Sequence, residues 1–140
     1  MSHFLSRADT IPALLAEKAA RGDHPAIVDG DLRISYAELK KKADAVGRAF
    51  IAAGVEHGDR VAICLPNRAE FILAMLGAQS IGAAVVPLNT RYTGHEAAYI
   101  LGRSRATAIV LNNGFLGKNY AAMLREGAAE AGTDLNADGE

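Results

Sequence analysis

Between Arg60 and Leu111 the chain alternates short apolar runs with stretches of helical spacing, and that order leaves few folds open. The runs are Arg60-Val61-Ala62-Ile63-Cys64-Leu65, Ala84-Val85-Val86-Pro87-Leu88 and Thr107-Ala108-Ile109-Val110-Leu111. Apolar residues at consecutive positions, without polar alternation, suit strands covered on both faces. The segments between them carry helix-start signals. Asn67-Arg68-Ala69-Glu70 offers Asn67 as N-cap with Glu at the third helical position, and Thr93-Gly94-His95-Glu96 repeats the arrangement. The first of these helices carries Phe71, Ile72, Leu73, Met75, Leu76, Ala78 and Ile81, so it is apolar on most faces and should be buried. The second runs to about Arg103. Strands joined through helices lie parallel, with right-handed crossovers. The predicted fold class is α/β, a partial parallel sheet of strand-helix-strand-helix-strand order.

The upstream part adds an N-terminal helix and a hairpin. Thr10-Ile11-Pro12 opens the helix, with Thr10 as N-cap and a proline tolerated in the first turn, and Arg21-Gly22 stops it after about Ala20. Asp29-Gly30 between Ala26-Ile27-Val28 and Leu32-Arg33-Ile34 is a hairpin signal. Ser35-Tyr36-Ala37-Glu38 is a capping box, after which Leu39, Ala43, Val46 and Phe50 recur at helical spacing until Gly54. Downstream, Asn119 to Glu126 predicts a weak helix. Gly127 to Glu140 holds mostly Ala, Gly and acidic residues, with Leu135 its only large apolar side chain, and predicts a flexible tail. The expected division is 1–126 as an incomplete N-terminal portion of a domain and 127–140 as the tail.

Composition excludes several function classes. Apolar residues make up 50% and charged residues 22%, which argues against wholesale disorder. A net charge of -1 gives no electrostatic footprint for nucleic acid, and Lys40-Lys41-Lys42 reads as a solvated helix face. The single cysteine, Cys64, allows no intramolecular disulfide and no Cys-rich zinc site. Met1 to Arg7 lacks the apolar run of a secretory signal, and with the lone cysteine this fits a cytoplasmic location. Phe71 to Leu88 approaches the roughly 20 residues of a membrane span. Gln79, Ser80, Gly82 and Pro87 interrupt it, so it reads as a buried helix followed by a buried strand, and no transmembrane segment is expected.

Searches for chemistry return little. His95-Glu96-Ala97-Ala98-Tyr99 has Tyr99 where a zinc-protease helix needs a second histidine, and His3, His24 and His57 are isolated. Cys64 reads as a buried thiol. Gly114-Phe115-Leu116-Gly117-Lys118 lacks the glycine and hydroxyl positions of a Walker loop, since Asn112 and Asn119 stand there. One geometric hint survives. Ligands of open parallel sheets bind beyond the carboxyl ends of the strands, where Arg68 and Arg91 could offer donors to an anion. Against it stands the reading in which Asn67 and Thr93 cap helices and the arginines are solvated.

Four segments occur in the order seen in adenylate-forming enzymes. They are Ile34-Ser35-Tyr36-Ala37-Glu38-Leu39, then Gly54-Val55 through Gly58-Asp59-Arg60-Val61-Ala62-Ile63, then Leu65-Pro66-Asn67-Arg68-Ala69-Glu70-Phe71, and then Gly77-Ala78 through Gly82 to Asn89. Arg91-Tyr92-Thr93, Glu96 and Tyr99-Ile100-Leu101 continue the pattern. From about Ile11 to Leu124 the chain resembles the N-terminal part of an AMP-binding acyl-CoA ligase, and Asn89-Thr90-Arg91-Tyr92 is similar to the fatty-acyl or alicyclic acyl-CoA ligases. The resemblance implies two steps. A carboxylate attacks the α-phosphate of ATP with Mg2+ present, giving an acyl-adenylate, and coenzyme A then displaces AMP. It also implies a small carboxylic acid as substrate of the complete enzyme. The phosphate loop, the acidic residue and the mobile C-terminal domain of such enzymes come later in the chain. No catalytic, cofactor-binding or metal residue is therefore carried over to this sequence, and ATP, Mg2+ and coenzyme A belong to the complete enzyme rather than to this portion alone.

Two readings follow. The first is an incomplete ligase domain, a truncated gene product or fragment without activity alone. The second is a non-catalytic binding or interaction module on the same piece of fold. A three-stranded parallel sheet wants helices on both faces, and the sequence offers few, so exposed apolar surface and self-association are expected.

Overall fold

A computed structural model describes residues 8–132. The N-terminal helix α1 spans Ile11–Ala19, with Thr10 Oγ1 accepting the Ala13 N–H. Strands β1 (Pro25–Asp29) and β2 (Leu32–Ser35) form an antiparallel hairpin. Asp29 pairs with Leu32, so the two-residue loop is Gly30-Asp31, one position later than the Asp-Gly signal suggests. Gly30 takes the positive φ of +57° that this loop requires. Helix α2 (Tyr36–Ala52) starts on the expected capping box. Glu38 N–H donates to Ser35 Oγ (3.3 Å), and Ser35 N–H donates to Glu38 Oε2 (2.9 Å).

The alternating part folds in the expected order as β3 (Arg60–Cys64), α3 (Ala69–Ser80), β4 (Ala84–Pro87), α4 (Gly94–Ser104) and β5 (Ala108–Leu111). All pairings are parallel, and the strand order is β4-β3-β5. Phe71 to Leu88 divides into a helix and a strand as expected, and among the described residues no helix is long and apolar enough to cross a membrane.

Strand β3 is central, and its alternating side chains serve two cores. Val61, Ile63 and Leu65 pack with Phe50 of α2 and with Ala74 and Ala78 of α3. Ala62 and Cys64 face the other way, toward Ala97 and Leu101 of α4. A third cluster joins Leu15, Ile34, Leu39, Ala43, Ala69 and Leu76, tying the hairpin and α1 to α2 and α3.

Three expectations are corrected. Asn67 does not cap α3. The N-cap is Arg68, without a side-chain cap bond, and the Ala69 N–H donates instead to Asp29 Oδ2 of the hairpin (2.9 Å). A carboxylate brought by tertiary packing does there what a neighbouring Asn would otherwise do, and it also meets the positive end of the helix dipole. Second, Gly127 does not begin a tail. Helix α5 runs from Tyr120 to Ala131, with Asn119 as its cap, Gly127 and Ala128 buried, and Gly132 closing it at φ +63°. Gly127 is a contact point. A Cβ there would overlap the Gly94 carbonyl and lie 2.5 Å from His95 N, so only glycine lets α5 lie against α4. The tail expected over 133–140 lies outside the described residues. Third, the sheet has helices on both faces, although all four residues of β5 stay partly exposed. Tyr120 and Leu124 of α5 join α4 over one face while α2 and α3 cover the other.

Candidate functional site

The carboxyl ends of β3, β4 and β5 lead into Leu65 to Arg68, Leu88 to Tyr92 and Asn112 to Gly114 respectively. The helix after β3 packs on one face of the sheet, and the helices after β4 and β5 pack on the other. Chains that leave adjacent strands toward opposite faces open a crevice between them, where ligands of such sheets bind.

Two cavities of ≈ 530 Å3 each flank the end of β3. The first lies toward β5, walled by Phe50, Leu65, Leu73 and Val110, with Arg68, Glu70 and Asn112 as its polar side chains. The second lies toward β4. Pro66, Phe71, Pro87, Tyr92 and Phe115 line it, together with Asn67, Asn89 and Thr90. Its floor is fixed from the far face, where Tyr120 OH donates to the Thr90 carbonyl (3.0 Å).

The arginines reach the same edge but not the same cavity. Arg68 lines the first and pairs with Glu70 (Nη2–Oε1 3.1 Å). Both side chains are about half exposed, a setting in which an ion pair contributes little. Arg91 is exposed and lines neither cavity, and its backbone N–H donates to Asn89 Oδ1 (2.9 Å). The structure therefore does not assemble the two-arginine anion site that strand-end reasoning raised.

The remaining candidates have structural roles. Three amides of the Gly114–Lys118 loop are used within it: Gly114 N–H donates to the Lys118 carbonyl (2.8 Å), Gly117 N–H to Gly114 and Lys118 N–H to Phe115, while Phe115 N–H donates to Asn112. Such a loop has no ring of amides aimed outward at a phosphate, so it does not fit a nucleotide's phosphates. Burial pushes the Cys64 thiol up against a smaller opposing effect of Lys118, which disfavours the thiolate, the nucleophilic form. Burial, and then the neighbouring Cys64, also raises Tyr120. His95 and Tyr99 are exposed on α4, and among the described residues no three His, Cys, Asp or Glu side chains gather as metal ligands would. Lys40 pairs with Asp44 while Lys41 and Lys42 face solvent.

Sequence reasoning missed Asn112, Glu70 and Asn67 as cavity residues. The signal was present, since each stands within a few residues of a strand's carboxyl end. Asn67 and Glu70 were instead read as a cap.

The AMP-binding enzyme family profile matches residues 15–137. A 7a-methyl-1,5-dioxo-octahydro-1H-inden-4-yl propanoyl:CoA ligase of Rhodococcus jostii is 40% identical over 84% of this chain and 23% of its own length. Crotonobetaine/carnitine–CoA ligase of Salmonella paratyphi B is 36% identical over 82% of this chain and 22% of its own. The N-terminal domain of FACL13 from Mycobacterium tuberculosis superposes with a TM-score of 0.70 at 32% identity, covering 74% of this chain and 27% of that one. The chain thus spans about a quarter of the length of the curated relatives it matches.

Proposed function

The chain belongs to the AMP-binding enzyme family, and we propose that it forms the N-terminal framework of an ATP-dependent carboxylate–CoA ligase. The observation that carries this reading is the family match over 15–137, joined by relatives of 36% and 40% identity that are both CoA ligases. The reaction class is acyl-adenylate formation from a carboxylic acid and ATP, followed by transfer to coenzyme A. A fatty-acyl or alicyclic acid is the proposed substrate class, in keeping with the bicyclic propanoyl group in the Rhodococcus relative's name.

Within that enzyme the described residues build and hold rather than react. The crevice beside β3 supplies apolar walls, Asp29 and the capping boxes fix the helices around it, and no step is assigned to a nucleotide or metal on these residues. The phosphate contacts, the Mg2+ ligands and the residues acting on coenzyme A come from other parts of the enzyme. The chain alone is therefore proposed to be inactive.

ATP–pyrophosphate exchange tests both halves. The chain alone, with a panel of carboxylic acids, should show no exchange above background, and clear turnover would overturn the inactivity. Replacing the matched stretch of the Rhodococcus ligase with residues 15–137 of this chain should give a hybrid that still exchanges. A folded hybrid without exchange would sink the framework reading. The rival reading, a non-catalytic module, draws support from helical cover on both faces of the sheet, which suits an independently folded piece. The hybrid decides between them, because an interaction module has no reason to support exchange.

A further inference from the structure

The turn from β5 into α5 holds a reactive pair that neither the framework nor the cavities use. Of the six asparagines, at positions 67, 89, 112, 113, 119 and 136, only Asn113 is followed by glycine. Asparagine is a thermolabile residue. The next backbone nitrogen can attack its side-chain amide carbon and close a five-membered ring, and intramolecular attack of this kind is strongly favoured over attack from solution. A side chain on the following residue crowds that nitrogen, and glycine has none. Asn113 and Gly114 are both exposed. A Cβ at Gly114 would meet nothing within 4 Å, so base and water have free approach.

Two hydrogen bonds hold the pair in the closed turn. Gly114 N–H donates to the Lys118 carbonyl (2.8 Å), and Ala121 N–H, in the first turn of α5, donates to Asn113 Oδ1 (3.1 Å). Their effects oppose one another. The Ala121 N–H, at the positive end of the α5 dipole, would stabilise negative charge developing on Oδ1. The Gly114 nitrogen, however, attacks only after losing its proton, and that proton is bonded to Lys118. Proton loss comes first, so the Lys118 bond decides, and reaction passes through local opening of the turn, as amide hydrogen exchange does. The neighbouring Asn119 governs that opening, since its Oδ1 caps α5 by accepting the Ala122 N–H (3.1 Å).

We propose that Asn113 is a self-modifying site, which deamidates spontaneously at a rate set by the opening of the β5–α5 turn. The Gly114 nitrogen bonds to Asn113 Cγ, the Cγ–Nδ2 bond breaks, and the side-chain nitrogen leaves as ammonia, taking the proton that Gly114 gave up. Water then opens the cyclic imide at either carbonyl, so that a carboxylate replaces the amide and only water is consumed. Where the backbone keeps its normal path, the carboxylate remains an acceptor for the Ala121 N–H and meets the α5 dipole. The new charge stands between Asn112 of the first cavity and Phe115 of the second, cavities whose only charged lining residues are Arg68 and Glu70. The modification thus turns that edge of the crevice negative, and it does so whether or not the ligase reading holds.

Peptide mapping by mass spectrometry tests this on the full 140-residue chain, incubated at mildly alkaline pH. The mass gained when an amide NH2 becomes OH should appear at Asn113, slowly in the folded chain and fastest in the chain unfolded in urea. Asn119→Ala should speed it by about fivefold, the factor by which losing one helix cap raises an opening equilibrium. Hydrogen exchange at the Gly114 amide should quicken by the same factor. Should Asn119→Ala fail to fold, wild type in urea below its unfolding transition supplies the same comparison of the two rates. Equal modification rates in the folded and unfolded chains would overturn the proposal, as would no modification at Asn113 in either. A Gly114 amide that exchanges faster while Asn113 is modified no faster would also overturn it, because the turn would then not be the gate.

Discussion

Asp29 ends β1, yet its carboxylate serves α3, 40 residues further along the chain. The N-terminal N–H groups of a helix need acceptors, and an exposed helix takes them from its own N-cap side chain. Helix α3 cannot, because its N-cap is Arg68. The same bond pins the hairpin to the start of the helix beside the crevice, so one carboxylate sets both the order of the α3 N-terminus and the position of Arg68. Asp29→Ala should lower stability by about 1 kcal/mol, the usual cost of a lost cap. Asp29→Asn keeps an acceptor at the same reach and should cost less. Urea denaturation midpoints at neutral pH measure the difference, and an alanine variant as stable as wild type would show that Ala69 N–H has no need of the hairpin.

Helices α2 and α4 solve the same problem locally, and their solution carries a pH signature. Glu38 is held below its ordinary value of 4.5, first by the Ser35 backbone N–H and then by the Ser35 hydroxyl, and Glu96 is held down in the same way by Thr93. Because the folded value lies below the unfolded one, the stabilisation is fully present above about pH 4.5 and disappears as pH falls through the lowered folded value. The double variant Glu38→Gln, Glu96→Gln should therefore melt lower than wild type at pH 7, and the gap should narrow as the pH falls below 4.5. A gap in Tm independent of pH would mean that the carboxylate charge is irrelevant to these caps. These two boxes were legible in the sequence because the cap and its reciprocal Glu lie within four consecutive residues. The cap of α3 was not, since its acceptor arrives only through tertiary packing. At the crevice, the edge itself was legible from strand order. The partition of Arg68 and Arg91 to different surroundings was not, because it depends on the Asn89 turn and on the Glu70 pairing.

At the level of the whole molecule, two helical layers enclose the sheet, and the layer formed by α4 and α5 depends on one backbone approach. The Ala, Gly and acidic residues from Gly127 onward predict a tail, and glycine in a helix ordinarily costs about 1 kcal/mol relative to alanine. The fold uses it differently: Gly127 lies against Gly94, and Tyr120 and Leu124 are thereby laid over Leu101 and Cys64. Gly127→Ala thus sets two effects against each other. Helix propensity favours alanine by about 1 kcal/mol, whereas overpacking opposes it by roughly 1–3 kcal/mol. The upper end of that range should prevail, because the obstruction is the Gly94 carbonyl and the His95 nitrogen, backbone atoms that no rotamer change can move aside. The variant should be destabilised, and α5 should lift away to leave Leu88, Ala97 and Leu101 uncovered. A hydrophobic dye should brighten on binding it, while the wild-type chain, with α5 in place over that face, should bind less. A Gly127→Ala chain that is more stable than wild type and silent to the dye would show that the second face is closed by something other than this contact.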